Sequence, residues 1–155
     1  MHRRPMKSSC IRSAMAAIAV LGVAAAAGAG DAVHPVRIGQ AQIQGAIFED
    51  HEPVVRTEDG NTTHDVEVFL SKDRQFDAGM YRSGRVRTEI KTRYGVNEYM
   101  HFIDGGVTLT SSDGTVTEVR AGDSVIIPAD WTGVWDTQGY TKIYAIYSPD
   151  GPIEQ

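Results

Sequence analysis

From residue 65 to 147 the chain is a succession of short apolar alternations, each closed by Gly, Asp, Ser or Pro. A period of two admits half-buried strands and leaves no room for a long amphipathic helix. The pattern predicts strands over 66–70, 79–81, 86–92, 98–103, 107–110, 116–119, 124–127, 134–136 and 142–147. Asp104-Gly105-Gly106 and Ser112-Asp113-Gly114 fall between alternating strands. Glycine there supplies the positive φ of tight turns, so two successive hairpins are expected. Ala121-Gly122-Asp123 then turns the chain into the β-branched run Ser124-Val125-Ile126-Ile127, which Pro128 ends because it cannot donate to a ladder. The class is all-β.

Upstream the pattern changes. Arg3, Arg4, Lys7 and Arg12 precede an apolar run over 14–27 that ends in Ala27-Gly28-Ala29. A basic start, a short apolar stretch and an A-x-A pattern make residues 1–30 a signal peptide, and the expected destination is periplasmic or secreted. The run is too short and alanine-rich for a permanent anchor, which needs about 20 apolar residues, so no stable membrane anchor is expected after cleavage. Residues 31–64, broken by Pro35, Pro53 and Gly60-Asn61, read as an N-terminal arm with one short strand over 46–49. Residues 65–150 form the barrel domain.

Cys10, the chain's one cysteine, lies in the leader, so disulfides cannot staple the fold and a packed core must hold it. The sequence has 15 Lys and Arg against 20 Asp and Glu, a net charge of −5, and four of the basic residues lie before residue 30. The exported part therefore carries 11 bases against 20 acids, a net charge of −9. An acidic domain of this kind lacks the clustered Lys and Arg that nucleic-acid binding draws on, and no nucleic-acid partner is expected.

Two spacings resemble the cupin superfamily. Its first motif, G-x5-H-x-H-x3,4-E-x6-G, is matched by Glu98 and Gly105, and its second, G-x5-P-x-G-x2-H-x3-N, by Gly122 and Pro128. The resemblance implies a cupin-type double-stranded β-helix, or jelly roll (an RmlC-like cupin). The histidine positions hold Thr92 and Tyr94, or Lys91 and Arg93 with the longer spacing, and Gly133 in the second motif. Three of the superfamily's four metal ligands are thus absent and Glu98 alone remains, so neither a metal nor another cofactor is expected. Glu98-Tyr99-Met100-His101-Phe102-Ile103-Asp104-Gly105, Gly133-Val134-Trp135 and Lys142-Ile143-Tyr144 are similar to the ureidoglycine aminohydrolase-like group of short single-domain cupins, which includes the ethanolamine-utilisation cupin.

Strand parity puts Glu98, Met100 and Phe102 on one face and Tyr99, His101 and Ile103 on the other. With the first set inside the barrel, Glu98 is a carboxylate in an apolar cavity and the candidate catalytic acid or base, against a structural glutamate bonded to backbone or Arg. Tyr94, Thr92, Glu98, Met100, Trp131 and Trp135 are the candidate ligand-binding set. His101 has the wrong parity to join Glu98 and reads as a packing residue. Arg85, Arg87, Lys91 and Arg93 share one parity and point outward beside nearby acids, leaving Val86 and Ile90 inside; a one-residue slip would instead line the cavity with guanidinium groups.

These residues fit an exported cupin-like protein that binds a small polar or anionic molecule without the standard metal site. Two alternatives stand beside it: an enzyme resembling ureidoglycine aminohydrolase that acts on a small nitrogenous or carboxylate compound, and a non-catalytic structural or interaction module. A homodimer is expected, because the face carrying Tyr99, His101 and Ile103 is semi-apolar and needs cover.

Overall fold

The alternating runs do become strands. The structure, a computed structural model, describes residues 33–154. The strands are β1 (Val54–Glu58), β2 (Asn61–Leu70), β3 (Phe76–Ser83), β4 (Val86–Ile90), β5 (Asn97–Ser111), β6 (Val116–Arg120), β7 (Ser124–Ile127) and β8 (Gly133–Tyr147). All pairings are antiparallel, in the order β1-β2-β3-β8-β5-β6, with β4 also on β8 and β7 also on β5.

The two 15-residue strands organise this jelly roll. The first half of β5 pairs with β7 and the end of β8, whereas its second half pairs with β6 and the start of β8. β8 likewise pairs with β4 through its first residues and with β3 through its last. Each long strand therefore passes from one layer to the other, and the register slips at Phe102/Asp104 and Gly106/Thr108 supply the bend.

Those slips correct the first expected hairpin. Asp104-Gly105-Gly106 lies inside continuous β5 rather than in a turn. Gly105 has φ 69°, and a Cβ there would run into the Gly139 carbonyl. A glycine pair signals close backbone approach at a bulge as well as a tight turn, and here it serves the bulge. The second hairpin is present at Ser112-Asp113-Gly114, where Asp113 Oδ1 accepts from the Thr115 amide at 2.9 Å.

The segment before the barrel also differs from its expected reading. Residues 46–49 are helical rather than a strand: a π-helical turn, Gln42–Ala46, runs into a short helix α1, Ile47–Asp50. Tertiary burial decides the matter, because Ile47 is fully buried with Val66 and Met80, and Ile38, Phe48, Ile103 and Ile143 pack around them. β1 and the first half of β2 also fall within the stretch read as an arm. The expected leader lies outside the described residues.

A larger core of Met100, Phe102, Val107, Leu109, Val119, Ile127, Trp135 and Tyr140 fills one end of the barrel between the layers. At about 2 kcal/mol for each large side chain buried, this core supplies the stabilisation that no disulfide provides. Glu98, Met100 and Phe102 all face it, as parity required. No helix among the described residues is long and apolar enough to cross a membrane.

Candidate functional site

At the boundary between this core and an open cavity lies a buried ion pair. Lys142 of β8 stands opposite Phe102 in the ladder, so its side chain enters the barrel with that of Glu98. Glu98 is 3% exposed and Lys142 5%. Lys142 donates from Nζ to Glu98 Oε1 at 2.5 Å and reaches Met100 Sδ at 3.1 Å. The ammonium also lies 5.4 Å from the centre of the Tyr81 ring, 5.6 Å from Trp135 and 5.7 Å from Tyr140. Two charges out of water are tolerated only when their remaining hydrogen-bonding capacity is met, and here aromatic faces and a thioether meet it.

The second oxygen of Glu98 is taken as well. Tyr94 donates its hydroxyl to Oε2. The loop that carries Tyr94 is held by amide bonds from Tyr94 to the Trp131 carbonyl at 3.0 Å and from Gly95 to the Ala129 carbonyl at 2.8 Å. Burial, reinforced by the charge of Glu98, raises the Tyr94 phenol well above its usual range, so it remains a donor. Tyr140 is raised for the same first reason.

Beyond this pair opens a cavity of about 530 Å³. Its walls come from the inner faces of β1, β2, β3, β4 and β8, and it is rich in carboxylates: Glu58, Asp59, Asp65, Asp77 and Glu98 against Arg56 and Lys142. Gly79 makes one wall possible, because a Cβ there would run into the Val66 carbonyl and lie 2.7 Å from the Tyr144 hydroxyl. With no side chain in the way, Tyr144 lies across β3 and donates to Asp65 Oδ1 at 2.9 Å. Burial raises the Asp65 carboxyl, opposed by that hydrogen bond. Asp77 is pushed up to about 6, first by burial and then by the charges of Glu67 and Asp65. Its Oδ1 is buried without a hydrogen-bond partner.

Of the residues expected from sequence, Tyr94, Glu98 and Trp135 line the cavity. Met100 is fully buried behind them as a partner of Lys142. Trp131 packs edge-on to Tyr94, with ring centres 6.3 Å apart, and donates to Ser111 Oγ at 3.1 Å, so it supports the Tyr94 loop from outside the cavity lining. Thr92 is exposed in a bend and is not part of the lining.

The basic stripe faces solvent, with Arg87 on Asp136 at 2.6 Å, Lys91 on Glu89 at 3.5 Å and Arg93 paired with Asp150. Val86 and Ile90 face the cavity. His101 lies on the outer face with Nδ1 2.9 Å from Ser124 Oγ. Asp65, Asp77, Tyr144, Arg56 and Lys142 were missed. The signal for Lys142 was its even spacing from Tyr140 and Tyr144 on a strand whose inner parity Tyr144 fixes.

The metal-binding arrangement of the superfamily does not fit these residues. Its histidine positions hold Thr92, which faces solvent, Tyr94, whose hydroxyl is committed to Glu98, and Gly133, which has no side chain. An ammonium 2.5 Å from Glu98 already supplies the positive charge that a cation would bring. Among the described residues no group of three or more His, Cys, Asp or Glu side chains is arranged to hold a metal ion.

Residues 70–144 match the family model of the EutQ-like cupin domain. The domain has the cupin fold. A protein of unknown function from the DUF861 family of Pseudomonas syringae pv. tomato superposes with a TM-score of 0.53 at 20% identity, over 62% of this chain and 41% of that one. This chain thus spans about two fifths of that protein's length. The EutQ protein of Clostridium difficile superposes with a TM-score of 0.50 at 18% identity, over 61% of this chain and 77% of that one. At such identities the likeness is one of fold. No curated protein matches the sequence. The cupin barrel here thus combines a familiar frame with a lysine-neutralised Glu98 and an acidic cavity.

Proposed function

We propose that this is an exported small cupin that holds a small polar molecule in its barrel cavity and works without a metal at the superfamily's usual position. One observation carries the reading: the Lys142 ammonium is bonded to Glu98 beside a polar-lined cavity of about 530 Å³, which lies within the size range of small-molecule sites. Of the polar and anionic ligands expected from sequence, the polar class is favoured, because five carboxylates line the cavity against two cations.

A second reading, an enzyme of the ureidoglycine aminohydrolase-like kind, draws support from Asp77. A carboxyl near 6 is matched to proton transfer around neutral pH. In that reading Asp77 rather than Glu98 is the acid or base, since both oxygens of Glu98 are engaged.

Elemental analysis joined to native mass spectrometry on the processed protein tests the proposal. The expected result is no stoichiometric zinc, manganese or iron together with a retained or exchangeable small mass. Stoichiometric transition metal that survives chelation in the wild type and is lost in Glu98→Gln would overturn it.

A further inference from the structure

We infer that the Asp65–Asp77 end of the cavity recognises a small organic cation, a protonated amine or guanidinium group. The inference rests on the cavity-binding reading above and names the class of ligand. Its starting point is Asp77, which lines the cavity, is only 8% exposed and has an Oδ1 with no hydrogen-bond partner. A buried carboxylate oxygen without a donor costs free energy that the fold has no evident reason to bear. The Tyr144 hydroxyl beside Asp77 has one proton and gives it to Asp65 at 2.9 Å, and the Ala78 amide that acts on the Asp77 carboxylate leaves Oδ1 unserved. What completes the site is a donor from outside the chain.

The surrounding charges select the sign of that donor. Lys142 is bound to Glu98, and the registers put Glu58 and Asp59 at the far end of the β1–β2 hairpin, so this end has Asp65 and Asp77, with the charge of Glu67 acting on both and Arg56 acting on Asp65. An anion entering this end meets Asp65 and Asp77, with Glu67 adding negative charge and Arg56 the nearby guanidinium. A cation with several N–H groups reaches Asp77 Oδ1 and the free lone pairs of Asp65, with the Tyr81 and Tyr144 rings on the same walls. The register makes this convergence a product of the fold: Asp65 pairs with Tyr81 and Gly79 with Tyr144, so both acids and both phenols project from neighbouring strands onto one inner surface.

The test uses three probes of one size and different charge: butylammonium chloride, butan-1-ol and sodium butyrate. Each is titrated at constant ionic strength into the processed, ¹⁵N-labelled protein, following amide shifts of β2, β3 and β8. Butylammonium is expected to saturate these shifts at a concentration about tenfold below butan-1-ol, with butyrate weakest, and Asp77→Asn to weaken butylammonium by about tenfold while leaving butan-1-ol unchanged. Asp65→Asn provides a second variant with the same expected direction, and amide dispersion reports that each variant is folded. Equal binding of butylammonium and butan-1-ol in the cavity would overturn the cation inference and leave the binder reading standing. Tighter butyrate would also overturn it. Silence from all three overturns it too, and the retained-mass measurement above then decides the binder reading separately.

Discussion

Glu98 and Lys142 stabilise the barrel only as a pair, and a double-mutant cycle exposes that dependence. Lys142→Met removes the ammonium and leaves Oε1 of a 3% exposed carboxylate without its donor, while Tyr94 continues to serve Oε2. Glu98→Gln keeps the shape and an amide oxygen that accepts from Nζ, but it removes the countercharge of an ammonium that is 5% exposed, with Met100 Sδ and three aromatic faces otherwise around it. Breaking one partner of a buried pair costs about 3–5 kcal/mol, because it leaves an uncompensated charge. The double variant Glu98→Gln/Lys142→Met leaves no charge, and its methionine packs against Tyr81, Trp135 and Tyr140, so its loss should be well below the sum of the two. A coupling of about 2 kcal/mol or more is expected. Urea unfolding at neutral pH measures all four corners. Losses that add to within about 0.5 kcal/mol, or a single variant that loses less than about 1 kcal/mol, would refute the reasoning.

Other expectations follow from the same geometry. Asp77 is raised from 3.8 to about 6 by burial and by the charges of Glu67 and Asp65, which outweigh the opposing effects of the Ala78 amide and the Tyr144 hydroxyl, so the fold favours its protonated form. The wild type should therefore lose stability as pH rises from about 4 to 6 and level off above, by up to about 3 kcal/mol at 1.36 kcal/mol per pKa unit. Asp77→Asn should lack this loss and melt higher than wild type at pH 8 but not at pH 4; a variant no more stable at pH 8 contradicts the assignment. Gly79→Ala should cost several kcal/mol and detach Tyr144 from Asp65, because the new methyl meets the Val66 backbone; a wild-type melting point would count against that wall. The exported protein should begin between Gly28 and Val33, and N-terminal sequencing that starts at Met1 would dismiss the leader. On the outer face Ile126, Tyr99, Ala145, Ala78 and Phe69 pair successively across five strands, with Ile126 66% exposed and Tyr99 44%. A homodimer that covers this row should be lost in Ile126→Lys, and light scattering of a wild-type monomer at micromolar concentration would exclude it.

Parity made half of the site legible. Once the motif spacing put Glu98 inside, period two carried Met100 and Phe102 in with it and turned His101 out, and the register Glu98↔Ile127 and His101↔Ser124 agrees. The same logic kept Arg85, Arg87 and Arg93 outside. It failed where one residue type serves two geometries. Gly105-Gly106 fits a turn or a bulge, and the choice depends on Gly139 of a strand more than thirty residues away. The short run around Ile47 fits a strand or a helical turn, and burial against Val66 and Met80 decided it. Asp65 and Asp77 were invisible for a different reason. A carboxylate on a strand next to polar neighbours reads as solvent-facing until the opposite wall is known, and here that wall depends on a missing side chain at Gly79.

If the Lys142 ammonium stands where the superfamily's metal would, as proposed, recognition moves to another part of the barrel. In a barrel that holds a cation by its motif residues, the ligand is drawn to that cation and an anionic group is the natural complement. Lys142 supplies an equivalent charge, but it is a tethered one, enclosed by Tyr81, Trp135 and Tyr140 and already bonded to Glu98. Two of its three protons go to Glu98 Oε1 and Met100 Sδ and the aromatic rings crowd the ammonium, so little remains for a guest. Electrostatic pull in the cavity therefore shifts to groups that lack compensation, and the least compensated is Asp77, whose Oδ1 has no donor. If the two ends are independent in this way, Lys142→Met/Glu98→Gln should leave butylammonium binding within about threefold of wild type although it removes the motif carboxylate. A larger loss would mean that the pair and the acidic end act as one site, and the division of the barrel into a self-neutralised floor and a ligand-facing wall would fall.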